Sequence, residues 1–320
     1  MDAVYLENGT IRFEASFPKP SVGSHQVLIK ISLAGICATD LALLSGYANF
    51  SGIPGHEFVG TVVETGEQVD SSWLNQRVVA EINQFCGQCP ACEAKRFSHC
   101  YHRKVVGIRE HQGAFAQFLV VNANTLHRIP DTMDEREAVF IEPLAAAYRI
   151  VAQLADVAYD NVLIIGAGKL GQLIARVMAQ YSHEVVVVTR RKRQAESLQT
   201  FPVRCLSESE VIDQAWDVVI EASGQRVGFT RALKAVRPCG HIVLKSTYTE
   251  PIDWPLSELV INEITLLGSR CGSFTQAIQA INSNQLGLSS LIDAEYPLNA
   301  IEKAIEHASQ PGTMKILLRP

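Results

Sequence analysis

The chain has 320 residues, 47% hydrophobic and 19% charged, with a formal net charge of -5. At roughly 100 to 200 residues per domain two domains are expected, and a mildly acidic total excludes the broad basic face that duplex nucleic acid requires. A mean hydropathy of +0.09 excludes a disordered chain, no run approaches the ~18 apolar residues of a membrane helix, and the opening MDAVYLENGT lacks the basic-then-apolar order of a secretory signal, so the expected compartment is the cytoplasm.

Residues 1 to about 143 read as mostly β. In QVLIKISLAG the period-two pattern predicts that Val27, Ile29, Ile31 and Leu33 share one buried face. FVGTVVETG, QRVVAEI and AFAQFLVVNANTLHRIP follow, divided by Gly, Pro, Asn and Asp, with a short helix expected over residues 39–44. From residue 143 to 153 the chain turns Ala-rich and helical. NVLII, a glycine turn, a helix over residues 169–181, EVVVV, DVVIEAS, a helix ending near Arg237, HIVLKS and EITLLGS come next. Short β-branched runs separated by helices predict a doubly wound parallel sheet. A last amphipathic helix (274–281) and the strand MKILL close the sequence.

Cysteine is the most informative count. Of eight, Cys86, Cys89, Cys92 and Cys100 fall within 15 residues, while Cys37, Cys205, Cys239 and Cys271 are scattered. Clustered cysteines without a secretory signal read as metal ligands. Four thiolates at x2, x2 and x7 spacing can close a tetrahedron around Zn²⁺ with no open position, a structural site. Two disulfides would conflict with the inferred compartment, and an iron–sulfur cluster suits the rest of the chain poorly.

Gly166, Gly168 and Gly171 form GxGxxG between NVLII and a helix, with Lys169 and Leu170 inside the motif. The glycines permit a tight turn, close approach of the backbone to a pyrophosphate, and helix–strand packing; the helix N-terminus offers free N–H groups to phosphate. The carboxylate that takes the 2′-hydroxyl of NAD is expected about 20 residues on. Arg190 stands there instead, followed by Arg191, and Glu196 lies further along. Guanidinium groups suit a 2′-phosphate, so NADP(H) is expected over NAD(H); the bland alternative is a solvated basic face.

A second set of ligand types is dispersed: Cys37 in GICATD, His56 and Glu57 in GIPGHEF, Glu142 in FIEPLAAA. Each has an ordinary reading, as a small buried residue, a core histidine or a helix N-terminal acid. Together they are the ligand types of an open, catalytic Zn²⁺.

In combination these motifs give the chain a resemblance to the zinc-dependent medium-chain dehydrogenases. It most resembles the sorbitol, glucose and threonine dehydrogenase branch: GICATD, GHEFVG, the four-cysteine lobe, EPLA and GAGKLG occur in that family's order. The resemblance implies an α/β protein with a GroES-like, mostly-β catalytic domain (residues 1–143 and 271–320, structural zinc lobe at about 86–100) and a Rossmann domain with a doubly wound parallel sheet (144–270). It implies two zinc ions per chain, the catalytic one on Cys37 and His56 with Glu57, Glu142 or water completing it. Asp40 is then expected to orient His56, Thr39 to receive the substrate proton, and Ser223, Ser269 and Cys271 to line the cofactor, with Lys315 a candidate for the pyrophosphate. Ala42 stands where relatives carry a proton-relaying His, so ribose hydroxyls and water are the expected exit. The implied activity is hydride transfer between NADP(H) and a small-molecule alcohol or polyol, or the matching ketone or aldehyde, by a homodimer or homotetramer. The competing readings are a zinc-free NADPH enone reductase on the same scaffold, which needs none of Cys37, His56 and Glu142, and a non-catalytic zinc- and nucleotide-binding regulator, against which Thr39 and the open ligand set argue.

Overall fold

The computed structural model describes residues 1–248, 256–283 and 285–320. It comprises two compact units, Met1–Glu142 with Phe274–Pro320, and Pro143–Ser273. No helix among the described residues is long and apolar enough to cross a membrane.

The first unit opens with a hairpin, Ala3–Glu7 paired to Thr10–Glu14. Its two-residue turn, Asn8-Gly9, takes positive φ at both positions (50° and 76°), which matches the strands' twist and favours Asn-Gly. The main sheet runs in the order Ile292–Pro297, Lys315–Arg319, Gln26–Ile36, Glu57–Thr65, Arg77–Ala80, Leu126–Arg128, with Phe118–Asn122 also paired to Gln26–Ile36. The long strand Gln26–Ile36 is the hub, and it departs from simple alternation. Val27, Ile29 and Ile31 enter the core as expected, but the register against Glu57–Thr65 shifts between Ile31 and Leu33. The extra residue reverses the phase, so Ala34 and Ile36 join that core and Leu33 is buried outside it.

Among the described residues, the second unit holds a six-stranded parallel sheet. Its order is Arg204–Leu206, Glu184–Val188, Asn161–Ile165, Trp216–Glu221, Val236–Leu244, Thr265–Gly268. Numbered along the chain this is 3-2-1-4-5-6, the Rossmann order, which reverses direction between Asn161–Ile165 and Trp216–Glu221 and opens a crevice at their C-terminal ends. The first of these strands in space, Arg204–Leu206, has no counterpart among the expected elements: it is three residues long and none of its side chains is fully buried. The helix after the glycine turn spans Lys169–Met178, shorter than expected, and the helix Arg226–Ala235 gives way directly to strand at Val236.

Candidate functional site

Among the described residues, two groups of side chains that could hold a metal ion lie in the first unit. In the lobe after Asn83–Gln84, the sulfurs of Cys89 and Cys92 are 3.6 Å apart, those of Cys89 and Cys100 3.8 Å, and those of Cys100 and Cys86 3.6 Å. These separations are too long for bonded sulfurs, at about 2.05 Å. They match the edge of a tetrahedron with metal–sulfur bonds of about 2.3 Å, close to 3.8 Å. The backbone N–H groups of Cys86 and His102 both donate to Cys100 Sγ at 3.4 Å, the pattern of a site built for thiolates. Backbone donors at Tyr101 and Cys92 pull the Cys89 thiol down, while burial pushes that of Cys92 up. The lobe's own core is small: the buried cysteines and Ala91, flanked by Phe85, which stacks on Phe97 at 4.4 Å. The residues therefore fit a structural zinc, and the ion would hold a lobe that apolar burial alone supports weakly.

The second group is assembled by Asp40. Cys37 caps the helix Ala38–Leu44, and the Asp40 carboxylate closes a capping box by accepting from the Cys37 backbone N–H at 2.8 Å. Its other oxygen accepts from Gly55 N–H at 3.2 Å and lies 3.3 Å from His56 Nδ1. One buried carboxylate thus fixes two segments that carry ligand-type side chains. Donor atoms of Cys37, His56 and Glu57 all lie within 4.8 Å of one another. The carboxylate of Glu142 is not part of that trio; Glu142 stands in the first turn of the helix Ile141–Gln153. Thr39 Oγ1 is 3.9 Å from Cys37 Sγ.

Burial alone would lower the His56 imidazole, but the Asp40 carboxylate and then the Cys37 thiol outweigh it and hold the group well above 6.5. Its Nδ1 nonetheless makes no aligned hydrogen bond. A cation taken up on Nε2 would leave the proton on Nδ1, facing Asp40, and would satisfy the negative surroundings that the raised imidazole now answers. Three donors of Cys, His and carboxylate type suit an open zinc site, one that leaves a position for a further ligand.

Glu57 has a partner that the sequence did not suggest. Its Oε2 pairs with Lys315 Nζ, both side chains being almost completely buried. Gly35 makes room for the pair, since a Cβ there would sit 2.7 Å from Glu57 Oε2 and 3.3 Å from Lys315 Cδ. Lys315 also lies over the Phe140 ring at 5.3 Å. Burial opposes its charge, but Glu57, Cys37 and Asp40 together raise its ammonium above 10.5.

The nucleotide-type cavity of the second unit sits at the strand-order reversal. Gly166, Gly168, Arg190, Arg191 and Ser223 line it, with Gln225 and Glu208. The three motif glycines are required for different reasons. Gly166 adopts φ +108°, and a Cβ there would meet the Ser223 backbone at 2.7 Å; at Gly171 it would meet Gly166 O at 1.8 Å. At Gly168 it would meet nothing within 4 Å. The protein's own packing requires the first and third, whereas the second opens onto the cavity. Lys169 and Leu170 begin the helix behind it, and Gly171 is buried in that helix. The Gln194 side chain accepts from Arg190 N–H at 3.1 Å and Arg191 N–H at 3.2 Å, shaping the turn that presents both arginines.

Ser223 donates to the buried carboxylate of Glu221, which also accepts from Tyr248 Oη. Ser269 and Cys271 follow the strand Thr265–Gly268 and do not line this cavity. Lys245 anchors their loop, donating to Ala146 O at 2.9 Å, Arg270 O at 2.8 Å and Ser269 Oγ at 3.3 Å. Sequence reasoning missed Glu208, Gln225, Lys245 and the Glu57–Lys315 pair. Glu208 was within reach: recognising the strand Arg204–Leu206 would have placed the residues after it at the same sheet end as Gly166.

The geometry agrees with known proteins. The Alcohol dehydrogenase GroES-like domain family matches residues 23–131, and the Zinc-binding dehydrogenase family matches residues 169–283. A 2-dehydro-3-deoxy-L-galactonate 5-dehydrogenase of Pseudoalteromonas atlantica is 31% identical, over 92% of this chain and 91% of its own. A sorbitol dehydrogenase of Halalkalibacterium halodurans is 27% identical, over 99% and 98%. Among solved structures, a protein of Sinorhizobium meliloti 1021 described as a zinc-binding dehydrogenase and bound to NADP superposes with a TM-score of 0.90 at 26% identity, covering 100% of this chain and 99% of that one. The chain belongs to the zinc-type alcohol dehydrogenase family, an oxidoreductase with a GroES-like domain and a Rossmann domain.

Two outcomes follow from the packing. Gly171→Ala should lower unfolding free energy by at least about 2 kcal/mol, because backbone must move to admit the methyl, whereas Gly168→Ala should unfold at the wild-type temperature and lose nucleotide affinity; calorimetry and cofactor titration read the two. Lys315→Met strands a buried carboxylate and should cost about 3–5 kcal/mol, with much of the loss recovered in the double variant Glu57→Gln/Lys315→Met, measured by urea unfolding.

Proposed function

We propose that the protein is a zinc- and NADP(H)-dependent dehydrogenase that interconverts the alcohol of a polyol or sugar-derived substrate with the matching carbonyl compound. The observation that carries this reading is the open trio of Cys37, His56 and Glu57, with the Thr39 hydroxyl beside Cys37. A closed four-cysteine set in the same unit already accounts for a structural ion, so a second, incomplete set points to a metal with work to do. When bound, zinc would polarise the substrate oxygen and the nicotinamide would carry the hydride.

The chain's own residues have distinct tasks in this reading. Cys37 and His56 hold the metal, and Glu57, Glu142 or water completes its shell. Asp40 keeps His56 in the correct tautomer. Thr39 takes the substrate proton. Gly166, Gly168, Lys169, Leu170 and Gly171 form the pyrophosphate turn, Arg190 and Arg191 face the 2′-phosphate, and Ser223, Ser269 and Cys271 border the ribose and nicotinamide. The relatives named for sorbitol and for a deoxygalactonate support a polyhydroxylated substrate. The thiols need a reducing compartment, in keeping with the cytoplasm. A homodimer or homotetramer fits the sheet: Thr265–Gly268 ends its order among the described residues, and nearby Val260 and Ile261 are 77% and 78% exposed.

Metal analysis of the purified enzyme should find about two zinc ions per chain. Cys37→Ser should remove one ion and abolish turnover at wild-type thermal stability, whereas Cys92→Ser should remove the other and lower the melting temperature. Full turnover in Cys37→Ser would refute the catalytic zinc and favour the enone reductase reading. In steady-state kinetics kcat/KM should be higher with NADPH than with NADH, and Arg190→Ala should cost about 10-fold or more with NADPH, the loss of a charge-assisted contact, while leaving NADH nearly unaffected.

A further inference from the structure

Arg190 is not alone at the mouth of the nucleotide cavity. Its Nη1 donates to Gln225 Oε1 at 3.0 Å, and its Nη2 lies 3.7 Å from Glu208 Oε2. Arg190, Gln225 and Glu208 come from three different strand ends and all line the same cavity as Gly166 and Gly168. Both charged side chains of the pair are about half exposed, at 54% each. An ion pair of this kind adds little to stability, so its effect on a ligand is the more important one.

We propose that Glu208 is a specificity-determining residue that limits the enzyme's preference for the 2′-phosphorylated cofactor and keeps NAD(H) usable. The proposal rests on the reading that Arg190 faces the 2′-phosphate. Glu208 and the phosphate then share one guanidinium, and the carboxylate stands within about that group's width of a near-dianion. Like charges at such a distance in a solvated cleft weaken binding by a factor of about three to ten. A ribose 2′-hydroxyl meets no such repulsion, and a carboxylate at this place accepts its hydrogen bond, the role that an acidic residue plays in NAD-binding folds. The usual acid position at the end of the second strand is taken by Arg190, and the acid enters instead from the end of the neighbouring strand Arg204–Leu206. One cavity thus holds both determinants.

Isothermal titration of the zinc-loaded enzyme with NADP⁺, NAD⁺, 2′,5′-ADP and 5′-ADP tests this directly. Glu208→Gln keeps the size and a hydrogen-bonding end while removing the charge. It should tighten NADP⁺ and 2′,5′-ADP by about threefold to tenfold, leave NAD⁺ and 5′-ADP unchanged or weaker, and lose most of that gain at high ionic strength, where the repulsion is screened. Equal changes for both ligand pairs, no change, or a gain insensitive to salt would overturn the proposal. Arg190→Ala separates it from the underlying reading. If Arg190→Ala weakens NADP⁺ and Glu208→Gln does nothing, only the role of Glu208 fails; if Arg190→Ala leaves NADP⁺ affinity intact, the placement of the 2′-phosphate fails.

Discussion

The carboxylate of Asp40 is the contact on which the candidate catalytic site depends. Cys37 and His56 are 19 positions apart in the chain, one at a helix N-cap and the other just before a strand. Antiparallel pairing, with Gly35 opposite Glu57, brings the two segments together at one end of the sheet. Asp40 then fixes how they meet, by accepting from Cys37 N–H and Gly55 N–H and standing against His56. Such a buried, charge-assisted contact is strong, and losing it would leave several donors unpaired together. The same group, together with the Cys37 thiol, outweighs the burial penalty on the imidazole. The sheet pairing sets where the ligands lie, and one side chain that belongs to neither of them orients both and adjusts their electrostatics.

In the Rossmann unit the corresponding constraint is steric. The contact between Gly171 and the Gly166 carbonyl lets helix Lys169–Met178 start immediately above the strand Asn161–Ile165. Its N-terminus is then presented at the point where the sheet order reverses, and the empty position at Gly168 faces the cavity. Charged side chains at the ends of neighbouring strands, Arg190, Arg191 and Glu208, line the same cavity, whose backbone turn at a helix N-terminus is of the kind that accepts phosphate.

The sequence revealed what is local and periodic. The glycine turn, the four-cysteine spacing and five of the six parallel strands were visible because each is written in adjacent residues. The missed strand, Arg204–Leu206, is too short and too exposed to print a hydrophobic pattern, and Glu208 was missed with it. The phase reversal in Gln26–Ile36 arises from a bulge, which depends on the partner strand's register rather than on the strand's own composition. The Asn8-Gly9 hairpin carries a readable turn signal, but the strands it joins are only five residues each and print no long apolar run. Glu57 with Lys315 belongs to another category: no local pattern joins residues 258 positions apart.

That separation has a consequence for the order in which the molecule can be made. The strand Lys315–Arg319 docks beside Gln26–Ile36, pairing Ile316 with Ile36, so the sheet that carries the candidate metal centre takes a strand from the far side of the Rossmann unit in sequence. The intervening Rossmann unit has all its strands within residues 143–273 and can fold on local information first. With the strand Lys315–Arg319 undocked, Glu57 is a carboxylate without its cation. Two strands from after the Rossmann unit, Ile292–Pro297 and Lys315–Arg319, extend that sheet together, and the first residue of the second brings the charge that Glu57 lacks without it.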